Sequence, residues 1–319
     1  MNRHHARALA PFAAVAALAT LTACTGEATA SDADGEVVRV ATQRQPHLYA
    51  PYTYADHAPD GMTIQVVPMA NSTDQLNAVL TGDVDFALMG VPTVISGVAQ
   101  GKDVRLVASG ADGGSGIIGS PDVAGVEDLA GARIGIVPGS SQEIALRLTL
   151  EAAGIDPETD VELVNLGYAD MADALARGDI DAFAGAEVNV SVALLAGAHE
   201  VTSIYDTAIG PVNIGLATTG TLVEEDPELV QEVVDTHAAA VDALLADPEA
   251  WKEGVADQFS FEPEVLDSAT ENIWLRADLD DEYLAQVEAL AGEMVDLAVI
   301  DEAPAVTDVV ADTFAGEGD

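Results

Sequence analysis

A seven-residue pattern occurs twice in this chain and restricts the folds that the chain can adopt. Residues 81–87 read TGDVDFA, and residues 177–183 read RGDIDAF. In each copy a glycine is placed to end a helix in the left-handed conformation, the first aspartate lies in a tight turn, and the second belongs to the start of a buried strand. Two structural units that are built alike are the simplest explanation of the repeat.

Strands and helices alternate around the first copy of this pattern. Apolar, β-branched runs predict strands at residues 37–42, 63–68, 84–89 and 104–109. Helices are predicted around 48–57, from Ser72 to Gly82, and over 92–100. Strands separated by helices of this length pair in parallel through right-handed crossovers, so the first unit is predicted to be α/β.

The alternation restarts after the glycine-rich run at 113–116. A short strand is predicted from Ile117, and further strands at 132–137, 161–166 and 180–184. Helices are predicted at 140–153, 171–177 and 188–196. Two more strands, at 201–205 and 212–217, precede a tail that reads as helices without a further strand signal. The second unit is therefore also α/β.

The N-terminus has the features of an export signal. Arg3 and Arg7 precede an apolar run that ends in small residues and the single cysteine, Cys24. The run is shorter than the roughly 18 to 20 residues that a bilayer span needs. The tetrapeptide Leu-Thr-Ala-Cys at 21–24 resembles a bacterial lipobox. We therefore predict a lipoprotein signal peptide over 1–23, a lipid on Cys24 and an extracytoplasmic, membrane-anchored protein; the alternative is an ordinary signal peptide with a chance cysteine.

Residues 24–36 are small, polar and acidic, and we predict a flexible tether there. One cysteine cannot build an internal disulfide framework or a thiolate metal cluster. The sequence predicts no cofactor and no metal site.

The chain is strongly acidic, with 55 acidic and 11 basic residues and a formal charge of −44. Nucleic acid is excluded as a partner, because binding a phosphate backbone requires a basic face. The acidic residues are scattered rather than clustered, which favours a solvated surface over a cation site. Since about 1 M salt screens charge repulsion beyond roughly 3 Å, we hypothesise a halophilic source.

Three segments carry a resemblance to a known family. They are residues 72–109, with the first GDVDF motif, residues 126–155, with VEDLAGARIGIVPGSS, and residues 160–185, with the GDIDA motif. Together they resemble the periplasmic binding proteins for nitrate, taurine, aliphatic sulfonates and the thiamine pyrimidine precursor, over roughly residues 37–260.

The resemblance implies a type II periplasmic-binding-protein fold with two α/β lobes joined by two hinge strands. Lobe one is expected over 37–111 and 212–319, and lobe two over 112–211. A small solute is expected in the cleft between the lobes, and a monomer that closes on it would deliver it to an ABC permease with its ATPase. The general rule that parallel α/β sheets bind ligands beyond the carboxyl ends of their strands gives the same location.

Loops at the predicted carboxyl ends of strands supply the candidate ligand-binding residues. These are Gln43, Arg44, His47, Tyr49, Gly90, Pro92, Thr93, Ser140, Ser141, Glu187 and Asn189. The glycine turn before Ser140 and Ser141 offers N–H groups and a positive helix end to an anion, although Ser140 is equally suited to be a plain N-cap. Arg44 is suited to pair with a sulfonate, carboxylate or phosphate, or with a surface acid.

The solute is expected to be small, polar and either anionic or zwitterionic, with sulfonates as the model. A taurine-like amine is favoured if Glu187 faces the cleft. The family often has an aromatic residue near that strand end, and residues 183–186 offer no tryptophan there. Two alternatives stay open, namely a lipoprotein that senses a ligand for a membrane receptor, and a pyrimidine-precursor biosynthesis enzyme. The enzyme would need a site rich in cysteine and histidine that this chain lacks.

Overall fold

The computed structural model describes residues 35–314. The predicted signal peptide at 1–23, the lipidation site Cys24 and nearly all of the predicted tether lie outside the described residues. The described part contains eleven strands and eleven helices. The strands are β1 Glu36–Thr42, β2 Met62–Pro68, β3 Phe86–Gly90, β4 Arg105–Gly113, β5 Ser115–Gly119, β6 Arg133–Ile136, β7 Glu162–Asn165, β8 Ala182–Ala186, β9 His199–Thr202, β10 Val212–Thr218 and β11 Ile273–Leu275. The helices are α1 Ser72–Thr81, α2 Val91–Ala99, α3 Ser141–Ala152, α4 Tyr168–Arg177, α5 Asn189–Leu195, α6 Gly220–Glu225, α7 Pro227–Ala246, α8 Pro248–Phe259, α9 Pro263–Glu271, α10 Asp281–Asp296 and α11 Val306–Val309.

The strands form two sheets, which confirms the prediction of two α/β lobes. Sheet one has the order β11-β4-β10-β3-β1-β2, and sheet two has the order β7-β6-β8-β5-β9. The pairs β1–β2, β1–β3, β6–β7 and β6–β8 are parallel. Strand β10 runs antiparallel to both β3 and β4. We call the parts built on sheets one and two lobe one and lobe two, and keep their predicted limits as our proposal for the domain boundaries.

The central strands of both sheets are buried on both faces. On one face of sheet one, Phe86 packs with Val233 of α7. The opposite face of that sheet belongs to the same core cluster as Leu290 of α10. In lobe two, Phe183 packs with Met171 of α4. Helices on both faces explain why the parallel strands read as continuous apolar runs rather than as alternating ones.

The glycines of the repeated pattern have the expected geometry. Gly82 ends α1 with φ 74°, and Gly178 ends α4 with φ 71°. This left-handed conformation is readily adopted by glycine because glycine has no Cβ.

The second aspartate of each pattern has a role that the sequence analysis did not identify. Asp85 Oδ2 accepts a hydrogen bond from the backbone N–H of Arg39 on β1, at 2.7 Å. Asp181 Oδ2 accepts one from the backbone N–H of Arg133 on β6, at 2.8 Å. We call these two contacts the Arg–Asp clasps. Each contact joins the strand that follows the pattern to a parallel neighbour, β3 to β1 in lobe one and β8 to β6 in lobe two.

The chain crosses between the lobes next to two adjacent glycines. Gly113 ends β4 and Gly114 lies between β4 and β5, and their φ values are 72° and 67°. A Cβ at Gly113 would lie 2.5 Å from the carbonyl oxygen of Asn272, so a larger residue would also collide with its neighbour. The second crossing is at Pro211, immediately before β10.

Two local predictions are wrong. The helix predicted around 48–57 is replaced by three 3-10 turns, Pro46–Leu48, Ala50–Tyr52 and Tyr54–Asp56. Pro46 and Pro51 lack the N–H groups that a continuous helix requires. The tail predicted to be all helical contains β11, which has three residues and pairs antiparallel with β4.

Candidate functional site

A pocket with a volume of about 60 Å³ lies between the two lobes. Lobe one lines it with Gln43, Gln45, His47, Leu48, Asn71, Ser72, Thr73, Gly90, Pro92, Thr93, Asn213 and Ile214. Lobe two lines it with Val137, Pro138, Gly139, Ser140, Ser141, Gln142, Tyr168 and Ala186. The volume exceeds the roughly 10 to 15 Å³ that one water needs and is below the roughly 150 Å³ that holds benzene, so the pocket fits a compact polar group.

Four helices begin at this pocket. Residues from the first turn of each helix line it, namely Ser72 and Thr73 in α1, Pro92 and Thr93 in α2, Ser141 and Gln142 in α3, and Tyr168 in α4. The helices converge because each follows the carboxyl end of a strand, and these ends face the cleft. The first N–H groups of a helix have no acceptor within it, and the N-terminus carries a positive partial charge. The four N-termini together make the pocket favourable for an anion.

The pocket lining contains no Asp, Glu, Lys or Arg among the described residues. Its polar side chains are amides, hydroxyls and one imidazole. A bound anion would therefore be held by helix ends and neutral hydrogen-bond donors rather than by an ion pair. A bound ammonium group would meet positive helix ends without a lining carboxylate, which is unfavourable.

Hydrogen bonds on the side of lobe one fix the orientation of Gln43. Gln75 Nε2 donates to the carbonyl oxygen of Leu88 at 2.8 Å, so Gln75 Oε1 faces the Nε2 of Gln43, which donates to it at 2.8 Å. The same Nε2 donates to Ser72 Oγ at 3.2 Å, and the N–H of Gly90 donates to that oxygen at 3.0 Å. Since Ser72 Oγ accepts twice, its own hydroxyl hydrogen is left for an occupant of the pocket.

His47 is buried, with 2% of its surface exposed. Its Nδ1 has no hydrogen-bond partner in the described structure and packs against Gly114, where an added Cβ would lie 3.2 Å away. Burial lowers the pKa of His47 to about 4, because the charged imidazolium loses its hydration. At neutral pH, His47 therefore brings a neutral imidazole to the pocket.

The N-terminus of α3 is held by its own cap. Ser140 Oγ accepts from the N–H of Glu143 at 3.2 Å, and Glu143 Oε2 accepts from the N–H of Gly139 at 2.6 Å. The N–H of Gly139 is therefore occupied, and Ser140 is the N-cap that the sequence allowed as an alternative. The N–H groups of Ser141 and Gln142, one and two positions into the helix, remain the suitable donors on this side.

Gln142 connects the pocket to the hinge. Its Oε1 accepts from the hydroxyl of Tyr168 at 2.7 Å, and its Nε2 donates to Ser115 Oγ at 2.7 Å. Ser115 is the first residue of β5, directly after the two hinge glycines. Burial raises the pKa of Tyr168 to about 12, so this hydroxyl stays protonated and donates to the amide.

The structure places seven of the eleven candidate residues at the pocket. They are Gln43, His47, Gly90, Pro92, Thr93, Ser140 and Ser141. The other four do not line it. Arg44 is exposed and its guanidinium lies 5.6 Å from the centre of the Phe259 ring. Tyr49 stacks on Tyr52, with ring centres 5.7 Å apart.

The remaining two residues lie at the start of α5. Glu187 is 1% exposed, and its Oε2 accepts hydrogen bonds from the N–H and the hydroxyl of Ser191. Its Oε1 accepts from Asn272 Nδ2 at 3.1 Å. Burial raises the pKa of Glu187. Asn189 opens α5 and is half-buried outside the pocket lining. Glu187 does not line the pocket, since Ser191 at the start of α5 and Asn272 bind its carboxylate, so the condition that favoured a taurine-like amine is not met.

Sequence reasoning did not name several lining residues, among them Ser72, Thr73, Gln142 and Tyr168. The signal was present, since Ser72 and Thr73 open a predicted helix after a predicted strand. The rule that selected Ser140 and Ser141 applies equally to them.

Comparison with known proteins gives a family match and a fold match. A model of the family described as NMT1/THI5 like matches residues 57–251, more than half of the chain. The alkanesulfonate-binding protein SsuA from Xanthomonas axonopodis pv. citri, bound to MOPS, has a TM-score of 0.76 at 20% identity over 87% of this chain and 99% of that one. The periplasmic aliphatic sulphonate binding protein SsuA from Escherichia coli has a TM-score of 0.74 at 19% identity over 89% and 94%. At these identities the likeness is one of fold, and it confirms the predicted periplasmic-binding-protein architecture.

A shorter match concerns the nitrate import ATP-binding protein NrtC of Synechococcus elongatus. It is 47% identical over 58 residues, which are 18% of this chain and 9% of that protein. This chain thus matches less than a tenth of the length of that relative. Between residues 35 and 314, none of the helices combines the length and the apolarity needed to cross a membrane.

Proposed function

The chain belongs to the NMT1/THI5-like family, and from this we propose that it is the extracytoplasmic solute-binding lipoprotein of an ABC importer for a small organic anion such as an alkanesulfonate. The observation that carries the proposal is the convergence of four helix N-termini on a pocket whose lining has no charged side chain. Helix ends and hydroxyls solvate a monovalent oxyanion without the desolvation cost of a buried ion pair.

The pocket geometry favours a simple anion over a zwitterion. The sequence favoured a taurine-like amine only if Glu187 faced the cleft, and Glu187 instead bonds Ser191 and Asn272 away from the lining. An ammonium group would then lie among positive helix ends. We therefore propose that the site prefers ethanesulfonate to taurine, which differs by the added amine.

A transport role is supported by the family and by the folds that the chain resembles. The partners in this role are a permease and its ATPase, and the anchor is a lipid on Cys24; a Cys24→Ser chain is then expected to leave the membrane fraction. The alternative of a sensor for a membrane receptor uses the same pocket.

The lining of the pocket is less suited to catalysis. Its titratable side chains are His47 and Tyr168, both neutral at pH 7, and neither contacts a carboxylate that would orient it as a general base. We therefore propose binding rather than pyrimidine-precursor synthesis.

The proposal is tested by thermal unfolding and calorimetry with ethanesulfonate, taurine, nitrate and putrescine. A ligand at 100 times its dissociation constant should stabilise the protein by about 2.7 kcal/mol. We expect ethanesulfonate or nitrate to do so, and putrescine not to. Stabilisation by putrescine or taurine alone would show that the anion assignment is wrong.

A pair of matched variants tests the location of the site. Thr93→Val keeps the side-chain shape but removes a pocket hydroxyl, and we expect it to weaken anion binding about tenfold. Thr63→Val makes the same change at an exposed position on β2 and should leave affinity unchanged. Equal affinities for the two variants would place the site elsewhere.

A further inference from the structure

Asn272 of lobe one is hydrogen-bonded to three segments of lobe two. It lies between α9 and β11, and its Nδ2 donates to the carbonyl oxygen of Ser115 at 3.0 Å and to Glu187 Oε1 at 3.1 Å. Its Oδ1 accepts from the hydroxyl of Tyr205 at 2.8 Å. Its backbone carbonyl accepts from the N–H of the hinge residue Gly114 at 2.6 Å. One residue thereby joins β5, the end of β8 and the segment after β9 to the edge of sheet one.

Neighbouring contacts extend this junction. The ring of Tyr205 meets the ring of Trp274 on β11 edge to face, with centres 5.3 Å apart. The hydroxyl of Tyr205 also accepts from the N–H of Ser115 at 2.9 Å. Helix α5 of lobe two packs against α9 of lobe one. The two lobes are thus connected by side chains at a third place, besides the chain crossings at Gly113–Gly114 and before β10.

The junction is linked to the pocket through Ser115. The carbonyl oxygen of Ser115 accepts from Asn272 and its N–H donates to the hydroxyl of Tyr205, while its Oγ accepts from Gln142, which lines the pocket. On the other side, His47 packs against Gly114. A change in the angle between the lobes at Asn272 would therefore move groups that lie at the pocket.

We propose that Asn272 is a positioning residue that holds the two lobes in the arrangement that forms the pocket. Two covalent crossings leave the lobes free to rotate about the line that joins them, and hydrogen bonds from a third point oppose that rotation. Because its amide donates to one set of lobe-two groups and accepts from another, no apolar side chain can replace it.

The first test measures the lobe arrangement without any solute. Nitroxide labels at Asn77→Cys on α1 and Asp173→Cys on α4, both at exposed positions, report the distance across the cleft in the full chain with Cys24→Ser. We expect Asn272→Ala to shift the distance distribution to longer values and to broaden it. A distribution identical to that of the unsubstituted protein would overturn the proposal.

Matched variants separate positioning from loss of folding. Thr270→Ala removes a hydroxyl that bonds only its own helix, at Leu266 and Asp267, and should leave the distribution unchanged. Tyr205→Phe removes the donor to Asn272 and keeps the ring on Trp274, so it should shift the distribution in the same direction. If Asn272→Ala fails to fold, Tyr205→Phe provides the same test, and no shift there would overturn the proposal.

The second test rests on the proposed function and uses ethanesulfonate as the probe. We expect Asn272→Ala to raise the dissociation rate about tenfold with little change in the association rate, because the groups at the pocket are intact but less well held. In the double variant Tyr205→Phe, Asn272→Ala, the loss of binding free energy should be smaller than the sum of the losses in the two single variants. If ethanesulfonate does not bind the unsubstituted protein, the proposed function fails while the distance measurement still decides the role of Asn272.

Discussion

His47 and His237 are both buried, and burial lowers the pKa of each imidazole to about 4. Their surroundings differ. His237 Nδ1 lies 2.6 Å from the hydroxyl of Tyr54, and its Nε2 lies 2.8 Å from the carbonyl oxygen of Ser109. A carbonyl can only accept, so Nε2 carries the hydrogen and Nδ1 accepts from Tyr54. His237 is thus a satisfied residue of the core, whereas His47 Nδ1 has no hydrogen-bond partner among residues 35–314 and its ring lies at the pocket.

Both histidines predict that the protein is less stable in acid. The unfolded imidazole takes up a proton below pH 6.5, while the folded one stays neutral down to about pH 4, so the free energy of unfolding falls over that window. Between about pH 7 and about pH 5, each histidine should lower the free energy of unfolding by about 2 kcal/mol. We expect His47→Gln to reduce the loss of stability over this range by that amount, measured by urea unfolding at both pH values.

An exposed histidine gives the reference for this measurement. His199 lies at an exposed position on β9, so the His199→Gln variant reports the effect of the substitution itself. A His47→Gln protein that loses as much stability as the unsubstituted protein would show that His47 is not held neutral by burial.

The candidate site illustrates what sequence can predict at the scale of single residues. Positions at strand ends and helix starts were predictable, and Ser140 and Thr93 lie at the pocket as expected. The directions of long side chains were not. Arg44 turns to Phe259, which is distant in sequence, and Glu187 bonds to Asn272 of the other lobe. Such partners become visible only when the chain is folded.

At the scale of elements, the Arg–Asp clasps explain why the same pattern occurs in both lobes. Each aspartate closes a bond to the backbone of a parallel neighbour at the start of a buried strand. Asp181 also receives the guanidinium of Arg133, at 2.8 Å and 3.0 Å, and these bonds lower the pKa of its carboxyl. The neighbouring Asp179 pairs with Arg177 at the exposed end of α4 instead.

The Arg–Asp clasps predict that replacing neighbouring aspartates lowers the free energy of unfolding by different amounts. Asp85→Ala and Asp181→Ala should each lower the free energy of unfolding by about 1 to 2 kcal/mol, because each leaves a backbone N–H without its acceptor. Asp179→Ala removes an exposed ion pair and should change stability by less than about 0.5 kcal/mol. Urea unfolding of the three variants measures this, and equal costs for Asp179→Ala and Asp181→Ala would contradict the role of the clasps.

Long elements with a clear period were predictable, and short or proline-containing ones were not. The strands and helices around the two repeated patterns follow their apolar periodicity and glycine stops. Strand β11 has three residues, too few for a pattern, and forms because β4 offers it an edge. A helix was predicted around 48–57, but the prolines of the segment at 46–56 limit it to 3-10 turns.

At the scale of the whole molecule, acidic residues greatly outnumber the available cations. Six of the basic residues form ion pairs in the described structure, namely Arg39, Arg133, Arg147, Arg177, Lys252 and Arg276. With 55 acidic residues in the chain, most carboxylates of the described residues have no cationic partner. Mutual repulsion then opposes the compact state unless salt screens it.

This charge predicts that salt stabilises the protein. Raising KCl from about 0.05 M to about 2 M shortens the screening length from more than 10 Å to less than 3 Å, so the midpoint of urea unfolding should rise. A non-ionic osmolyte at equal osmolality serves as the control for effects other than screening. A midpoint that does not rise with KCl would remove the argument for a halophilic source.

The edge-to-face contact between Tyr205 and Trp274 has a practical consequence. Trp274 is 47% exposed, while the chain's other tryptophan, Trp251, is 4% exposed and donates its indole N–H to the carbonyl of Pro46. The two indoles therefore emit from different surroundings. Trp274, which contacts Tyr205 of lobe two, is the one that water can reach. In a Trp251→Phe protein, the emission wavelength of Trp274 therefore reports changes in the distance between the lobes without an added label.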